Sequence, residues 1–391
     1  MPVHHSGFRW LRAPIFGLLL YHSVLTAQTP AHSTLSINGT PTQIAEPAVP
    51  RDPLELVTGD AQPVEDATGR AEVVNLVIEG RKHSNIRAQP YDLKTAFTAL
   101  GSGSSDGDWK LQDTSPGKNM YRWTAQGPGY SAVNLFVNKI LYSDRSADSI
   151  PIRLAQVRAA IFFTQPGLGP RTSIRRASAS LDGVDLNCVL VSQNVMGQSI
   201  SGGRSWDEAE YCIDPKSLSV VTYSPIPGLY THYDYASGIK FHDALVPGKF
   251  TITQAGQTVV EARTVSVTDP VSDVSAFQPS GLNTIGKGPA MSPPWHYHAN
   301  APAPGGTSLD QPQIVVMHGM QSPKKGRLSD IELVASTNPS LRDSALQYAS
   351  KWKSTPMFAV LEPGTTPQAH EVYLTLRYLP AQTNKASNSG Q

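Results

Sequence analysis

Short runs of β-branched and aromatic residues, separated by turn residues, fill the chain from residue 70 to residue 269. Examples are the segments 132–137 (AVNLFV), 218–223 (LSVVTY) and 258–260 (TVV), and turn-forming residues such as 214–217 (DPKS) lie between such runs. Apolar runs of this length, bounded by turn residues, are typical of β-strands. The pattern therefore predicts many consecutive antiparallel strands.

Two segments of the same region have a helical pattern. The segment 92–100 begins with Asp92, which suits an N-cap, and the segment 152–163 places Leu154, Val157, Ala160 and Ile161 on one face. Both predicted helices precede an unbroken run of strands from 184 to 267. This order favours an α+β fold, a curved antiparallel half-barrel with one or two helices, over a sandwich.

About 200 residues of this pattern resemble the lipoprotein-carrier half-barrels of bacterial envelopes. In that family a bent antiparallel sheet holds an apolar ligand against helices. The resemblance implies that the domain predicted over residues 70–269 holds an apolar ligand.

The first 27 residues have the pattern of a secretory signal peptide. Arg9 and Arg12 precede an apolar block at 13–21, and the segment ends at the small residue Ala27. The alternative is an uncleaved anchor in the inner membrane. We expect a mature chain from Gln28 onward in the periplasm or cell envelope, with a disordered, proline-rich lead-in over 28–69.

The chain has two cysteines, Cys188 and Cys212, in segments with strand character on either side of a Gly/Ser-rich stretch at 198–205. In an oxidising compartment this arrangement predicts one disulfide. Two buried thiols are the alternative. The absence of a Cys-x-x-Cys sequence argues against a redox centre.

Composition limits the classes of function. The chain has 391 residues, with Lys+Arg 32 against Asp+Glu 31. This balance argues against nucleic-acid binding, which usually needs a basic excess. Phosphate-cradling and dinucleotide-binding motifs are absent from the sequence, which predicts no cofactor.

A second proline-rich segment divides the chain. Residues 270–312 include eight prolines, seven of them within 279–312, and we expect a semi-extended linker there. After it, the sequence predicts a compact unit over 313–380 and a frayed tail over 381–391.

The unit at 313–380 has the predicted order β-β-α-β. Strand patterns at 314–317 and 328–335 are followed by Asn338 and Pro339, a helix N-cap with proline at the first helical position. The helix is predicted to run to Lys353, and a closing strand alternates apolar and polar residues over 371–378.

This unit resembles the C-terminal domain of the TonB family of periplasmic energy transducers. The features that match are Lys325-Gly326 in the first turn, Asn338-Pro339 at the helix entry, and Lys351-Trp352-Lys353 before Pro356. The family's coupling to an inner-membrane motor needs an uncleaved N-terminal helix followed directly by a spacer. This chain instead has a predicted signal peptide and another domain, so the resemblance implies protein–protein contact in the envelope, linked to outer-membrane transport.

The closing strand predicts how that contact forms. Val372, Leu374, Leu376 and Tyr378 alternate with Tyr373, Thr375 and Arg377, which form the predicted partner-binding face. As a sheet edge, this strand is expected to pair with a peptide of an envelope protein or outer-membrane transporter, or with a second copy of the chain in a homodimer. A protected edge without a partner is the alternative.

Motifs for catalysis or metal binding are weak. The Gly-x-Ser-x-Gly match at 103–107 lies in a predicted loop without a preceding apolar strand. His296 and His298 lie in the predicted linker, and Arg175-Arg176 has the character of a solvated basic loop. We therefore predict a non-enzymatic binding protein with no catalytic or metal-ligating residue. The alternative is an exported enzyme that uses the β-rich domain as a catalytic cleft.

Overall fold

The structure is a computed structural model. It describes residues 36, 37, 40, 41 and 61–378, with gaps at 85, 87–88, 103–104, 118, 146–149, 163–171, 182, 193–207, 227, 271–273, 288–294, 306, 311–312, 324 and 355–368. The predicted signal peptide and the predicted tail lie outside the described residues.

The chain divides into two units, residues 1–44 and 45–391. The described part of the first unit is an antiparallel pair of short strands, β1 (Ser36–Ile37) and β2 (Thr40–Pro41). Within the described residues, no helix is long and apolar enough to span a membrane.

The second unit is built on one large antiparallel sheet. The strands of this region are β3 (Gln62–Pro63), β4 (Tyr91–Ala99), β5 (Gly107–Gly117), β6 (Met120–Gly127), β7 (Tyr130–Val137), β8 (Ile140–Ser143), β9 (Ser173–Leu181), β10 (Val184–Ser192), β11 (Ala209–Ile213), β12 (Val220–Ile226), β13 (Leu229–Asp234), β14 (Ile239–Phe241), β15 (Ala244–Val246), β16 (Lys249–Gln254), β17 (Gln257–Thr268) and β18 (Asn283–Lys287). The 14-stranded sheet has the order β18-β8-β7-β6-β5-β4-β17-β16-β13-β12-β11-β10-β9-β3, and β14 and β15 form a separate hairpin. The predicted open antiparallel sheet is confirmed.

Two helices pack on one face of this sheet. They are α1 (Ala67–Ser84) and α2 (Ile152–Ile161), and the second confirms the helix predicted over 152–163. Val73 and Val77 of α1 and Leu154 and Val157 of α2 belong to one apolar cluster with side chains from most strands of the sheet. The helices and the sheet face on which they pack therefore form a large part of the main core of the unit.

The helix predicted over 92–100 is wrong, because these residues form strand β4. Tyr91, Leu93, Phe97 and Ala99 are buried at alternate positions, which is the period of a strand. Asp92 does not cap a helix. Its carboxylate accepts hydrogen bonds from Gln112 and Thr114 of the neighbouring strand β5.

The helix α1 was not predicted. It begins at Ala67, inside the segment predicted as a disordered lead-in, and Ala61 and Val64 just before it are also buried. The end of the lead-in prediction is therefore wrong. Helix α1 packs on the core through Val73 and Val77, one helical turn apart, and Val74 and Leu76 are partly buried against the same cluster.

A second sheet of four strands follows. Its elements are β19 (Trp295–Ala301), β20 (Gln313–Gln321), β21 (Leu328–Ser336), α3 (Arg342–Lys351) and β22 (His370–Tyr378), in the spatial order β19-β22-β20-β21. The predicted β-β-α-β order is confirmed for 313–378. Asn338 accepts a hydrogen bond from the Ser340 amide at the helix entry, as its N-cap role predicts.

The linker prediction for 270–312 is wrong over two segments. Strand β18 pairs with β8 at the edge of the large sheet, and β19 pairs in parallel with β22. The prolines of this segment favour an extended spacer, but strands at sheet edges tolerate neighbouring prolines.

The four-stranded sheet, here called the C-terminal sheet (β19–β22), buries both of its faces. On one face, Val315, Met317, Leu374 and Leu376 pack with Ala345 and Ala349 of α3. On the other face, Ile314, Val316, Val334 and Tyr373 belong to the same apolar cluster as the large sheet. The C-terminal sheet therefore forms part of the main core of the unit.

Candidate functional site

An open apolar cleft lies at the C-terminal end of α2. It spans ≈ 400 Å³, its open mouth included. Its lining residues are Ile86, Leu93, Ala160, Ile161, Tyr233, Tyr235, Val246, Pro247, Phe250 and Thr264. Among these described residues there is no carboxylate, imidazole, thiol or amine. The cleft, here called the α2 cleft, thus offers apolar surface and three hydroxyl groups.

Tyr233 is fixed in the wall of the α2 cleft. Its hydroxyl donates a 2.6 Å hydrogen bond to the carbonyl of Ala160, and its ring lies 6.0 Å from that of Phe250. Burial raises the pKa of Tyr233 well above the usual value for a tyrosine, so the hydroxyl stays protonated. The bond ties strand β13 to the last turn of α2 and keeps the two walls of the cleft together.

A buried ion pair lies next to the cleft. Arg158 of α2 donates from Nη2 to Asp113 Oδ2 at 2.8 Å, and the Tyr91 hydroxyl donates to Asp113 Oδ1 at 2.9 Å. The guanidinium carbon of Arg158 lies 4.6 Å from the ring centre of Trp123, within cation–π range. Asp113 pairs across the sheet with Leu93, a lining residue of the cleft.

A second arginine of α2 joins the helix to the C-terminal sheet. Arg153 donates from Nε to the carbonyl of Leu100 at 3.1 Å, from Nη1 to Gln156 at 3.0 Å and from Nη2 to Glu332 at 3.0 Å. Gln254 of β16 also donates to Glu332. Because the arginine is buried and each of its three nitrogens has an acceptor, this network holds α2, the large sheet and β21 together.

The C-terminal sheet contains a buried imidazole–carboxylate pair. His318 Nε2 and Glu371 Oε1 lie 2.6 Å apart, and the His318 side chain is fully buried. His318 Nδ1 and Glu371 Oε2 have no hydrogen-bond partner. This pair does not line the α2 cleft.

The structure has a disulfide between Cys188 and Cys212. The two residues lie directly opposite each other on the antiparallel strands β10 and β11. They belong to a small apolar cluster with Leu186 and Leu190, separate from the cluster that contains the helices. The disulfide therefore links two neighbouring strands and does not contribute to the lining of the cleft.

The predicted free edge at Tyr373, Thr375 and Arg377 is wrong, because β22 is an inner strand. It pairs with β19 on one side and with β20 on the other. Its predicted polar face is also wrong, since Tyr373 and Thr375 are 0% and 4% exposed and Tyr373 joins the main core. The predicted apolar face is confirmed by the packing of Leu374 and Leu376 with α3 residues.

The weaker motifs have structural roles or lie partly outside the described residues. Gly103 and Ser104 of the Gly-x-Ser-x-Gly match are not described, and Asp106 accepts hydrogen bonds from the amides of Gly101 and Ser102. The side chains of His296 and His298 also lie outside the described part of the chain.

The solvated-loop prediction is wrong for Arg175. This residue lies on strand β9 and makes two 2.7 Å hydrogen bonds to the buried carboxylate of Glu208. Arg176, the next residue, points to the opposite face and is 53% exposed.

Sequence analysis missed Asp113 and Arg158, although the residue pattern of β5 indicates that the Asp113 side chain is buried. Asp113 is in phase with Trp109 and Leu111, so strand periodicity places its carboxylate on the apolar face. A carboxylate at such a position needs a buried cationic or hydrogen-bonding partner. That reasoning could have identified an ion pair, but not the partner, which lies 45 residues away.

No family model matches the chain, and no curated protein matches it. Among solved structures, a LolA-superfamily protein from Nitrosomonas europaea is similar at 10% identity and a TM-score of 0.36, covering 52% of this chain and 96% of the other. A DUF1329-family protein from Desulfovibrio piger is similar at 8% identity and a TM-score of 0.35, covering 55% and 98%.

Proposed function

We propose that this chain is a non-enzymatic protein of the bacterial cell envelope that holds an apolar ligand in the α2 cleft. The observation that carries the proposal is the lining of the cleft, in which Leu93, Ile161, Val246 and Phe250 supply apolar surface. An exported enzyme with a catalytic cleft has less support, because the described lining has no nucleophile paired with a base.

An acyl chain is the ligand class that fits this lining. Each methylene buried against apolar surface contributes about 0.8 kcal/mol, so two further carbons strengthen binding by about tenfold until the cleft is full. A ligand dominated by charge would lose its hydration without gaining a counter-ion from the lining residues.

An envelope location is consistent with the predicted signal peptide and with the disulfide between Cys188 and Cys212. Disulfides persist in oxidising compartments such as the periplasm and are rare in the cytosol.

We also propose that the C-terminal sheet binds another protein, at the edge formed by β19 instead of at the inner strand β22. Strand β19 (Trp295–Ala301) is the outer strand next to β22, so an added strand from an envelope protein or a second copy of the chain would pair there. The TonB resemblance remains a prediction, supported by the β-β-α-β order. Sedimentation of the full chain at increasing concentration tests the homodimer.

Binding of a fluorescent acyl-chain probe to the full-length protein tests the ligand proposal. Ile161→Asp places a carboxylate in the half-buried lining of the cleft, and we expect at least about tenfold weaker binding. The matched control is Ile78→Asp on α1, where the side chain is 37% exposed and outside the lining, and binding should be unchanged. Equal effects of the two substitutions, or no binding by the unaltered protein, would contradict the proposal.

A further inference from the structure

Arg158 is a buried cation whose charge is neutralised but whose hydrogen-bonding capacity is only partly used. Its side chain is 8% exposed, and Asp113 pairs with Nη2. Its Nε and Nη1 are buried and have no hydrogen-bond partner. A buried donor without an acceptor is costly, so such groups are rare in native proteins.

The same helix contains a buried arginine that shows the usual arrangement. All three nitrogens of Arg153 donate to Leu100, Gln156, Gln254 or Glu332. The two arginines share a helix and a buried setting, so burial alone does not explain the unused donors of Arg158.

A third buried donor belongs to the same cluster. Trp123 is fully buried, its Nε1 has no hydrogen-bond partner, and its ring centre is 4.6 Å from the Arg158 guanidinium carbon. Tyr121 and Phe162 also lie within 6.0 Å of that carbon, measured to their ring centres. The unused groups are all donors, and they lie among aromatic rings.

This cluster adjoins the α2 cleft. Ala160 and Ile161, which follow Arg158 closely on α2, both line the cleft. Leu93 lines it as well and pairs across the sheet with Asp113, while Phe162 packs in one apolar cluster with Leu93. Arg158, Asp113 and Trp123 are not lining residues, so their cluster lies behind the cleft wall, next to Leu93. A polar group on a chain held in the cleft reaches the guanidinium only past the side chains of this wall.

We infer that Arg158 and Trp123 form a subsite for the carbonyl oxygen of an acyl ester. This inference rests on the proposed function, because the ester's hydrocarbon chain occupies the α2 cleft. The donors need an acceptor, and Asp113 already balances the charge of Arg158. A neutral carbonyl fits that balance. A free carboxylate would add a second negative charge beside Asp113, and an amide would bring an N–H group for which the unused donors offer no acceptor.

The test compares lysophosphatidylcholines that carry the same chain and head group, one ester-linked and one ether-linked. The two ligands differ by one carbonyl, and each competes with a fluorescent acyl probe on the full-length protein. A hydrogen bond to a charged donor leads us to expect about tenfold or tighter binding of the ester. A free fatty acid of the same length, above its pKa, should bind more weakly than the ester.

Substitutions test whether the preference for the ester over the ether depends on Arg158 and Trp123. Trp123→Phe removes the N–H and keeps an aromatic ring, and Arg158→Lys keeps the charge beside Asp113 with fewer donors. Each should lower the ester-to-ether affinity ratio several-fold. Arg153→Lys, on the same helix and outside the cluster, should leave that ratio unchanged.

The possible results are distinguishable. Equal binding of ester and ether by the unaltered protein, or tighter binding of the free acid than of the ester, overturns the carbonyl subsite and leaves the acyl-chain proposal standing. Failure of every ligand to bind overturns the proposed function itself. Because the unaltered protein decides the first comparison, a variant that fails to fold does not remove the test.

Discussion

The contact between Gly228 and the C-terminal sheet allows a direct test of whether that sheet is packed against the large sheet. Gly228 precedes strand β13 and has φ +84°, a conformation that favours glycine. A Cβ atom at this position would lie 2.6 Å from the carbonyl oxygen of Val334 and 3.1 Å from the Cβ of Ala335. Gly228→Ala should therefore disturb the packing of β21 on the large sheet.

A matched substitution separates backbone strain from this collision. Gly183 has φ +77°, and nothing lies within 4 Å of a Cβ built there. Alanine in the left-handed region costs about 1–2 kcal/mol at either position. Overpacking against the backbone of Val334 adds about 1–3 kcal/mol at Gly228 alone.

Denaturant unfolding of Gly228→Ala, Gly183→Ala and the unaltered protein measures the difference. We expect both variants to lose unfolding free energy, with Gly228→Ala losing about 1–3 kcal/mol more at an unchanged denaturant slope. Equal losses would refute the packing of β21 against this turn. Two separate unfolding transitions, with only one of them shifted, would show that the C-terminal sheet unfolds independently of the large sheet.

Three further predictions follow from buried contacts. Mass spectrometry of the unreduced protein should give a mass two hydrogens lighter than the dithiol, and breaking the Cys188–Cys212 bond should lower the unfolding free energy by about 3 kcal/mol. Thiols that react with an alkylating probe in the native, unreduced protein would contradict this prediction. Burial raises the pKa of Tyr130 from 10.0 to about 12, so the stability that the protonated Tyr130 contributes is present below pH 10 and is lost as the pH rises towards 12. Thermal unfolding across that pH range measures this loss, and unchanged stability would refute the prediction. Glu332→Gln leaves the buried Arg153 guanidinium without its carboxylate and should lower the unfolding free energy by about 3–5 kcal/mol, whereas Glu72→Gln, at an exposed 3.8 Å pair, should lower it by less than about 1 kcal/mol. Similar losses for the two variants in denaturant unfolding would overturn the role given to the buried network.

Sequence patterns predicted the parts of this fold that depend on local periodicity. Most strands of the large sheet between 107 and 268, helix α2 and the order of elements in 313–378 follow from apolar spacing and turn residues. The segment 92–100 shows the limit of this approach. Its acidic first residue favoured a helix, but the alternating burial of Tyr91, Leu93 and Phe97 decided the outcome.

Features that depend on contacts between distant segments could not be predicted. The inner position of β22 depends on β19, a strand drawn from a proline-rich segment about 75 residues earlier in the chain. The α2 cleft likewise combines residues from 86 to 264. The ion pair of Arg158 needs strand β5 and helix α2 to meet, which no local pattern encodes.

Photoaffinity labelling tests most directly whether an acyl chain lies in the α2 cleft. The full-length protein is irradiated with an acyl ester that has a diazirine at the middle of its chain, and labelled peptides are mapped by mass spectrometry. We expect labels on cleft residues such as Leu93, Ile161 and Phe250, and their loss when excess unlabelled ester is present. Labels confined to exposed apolar residues such as Val184 and Val265, without competition, would contradict the account.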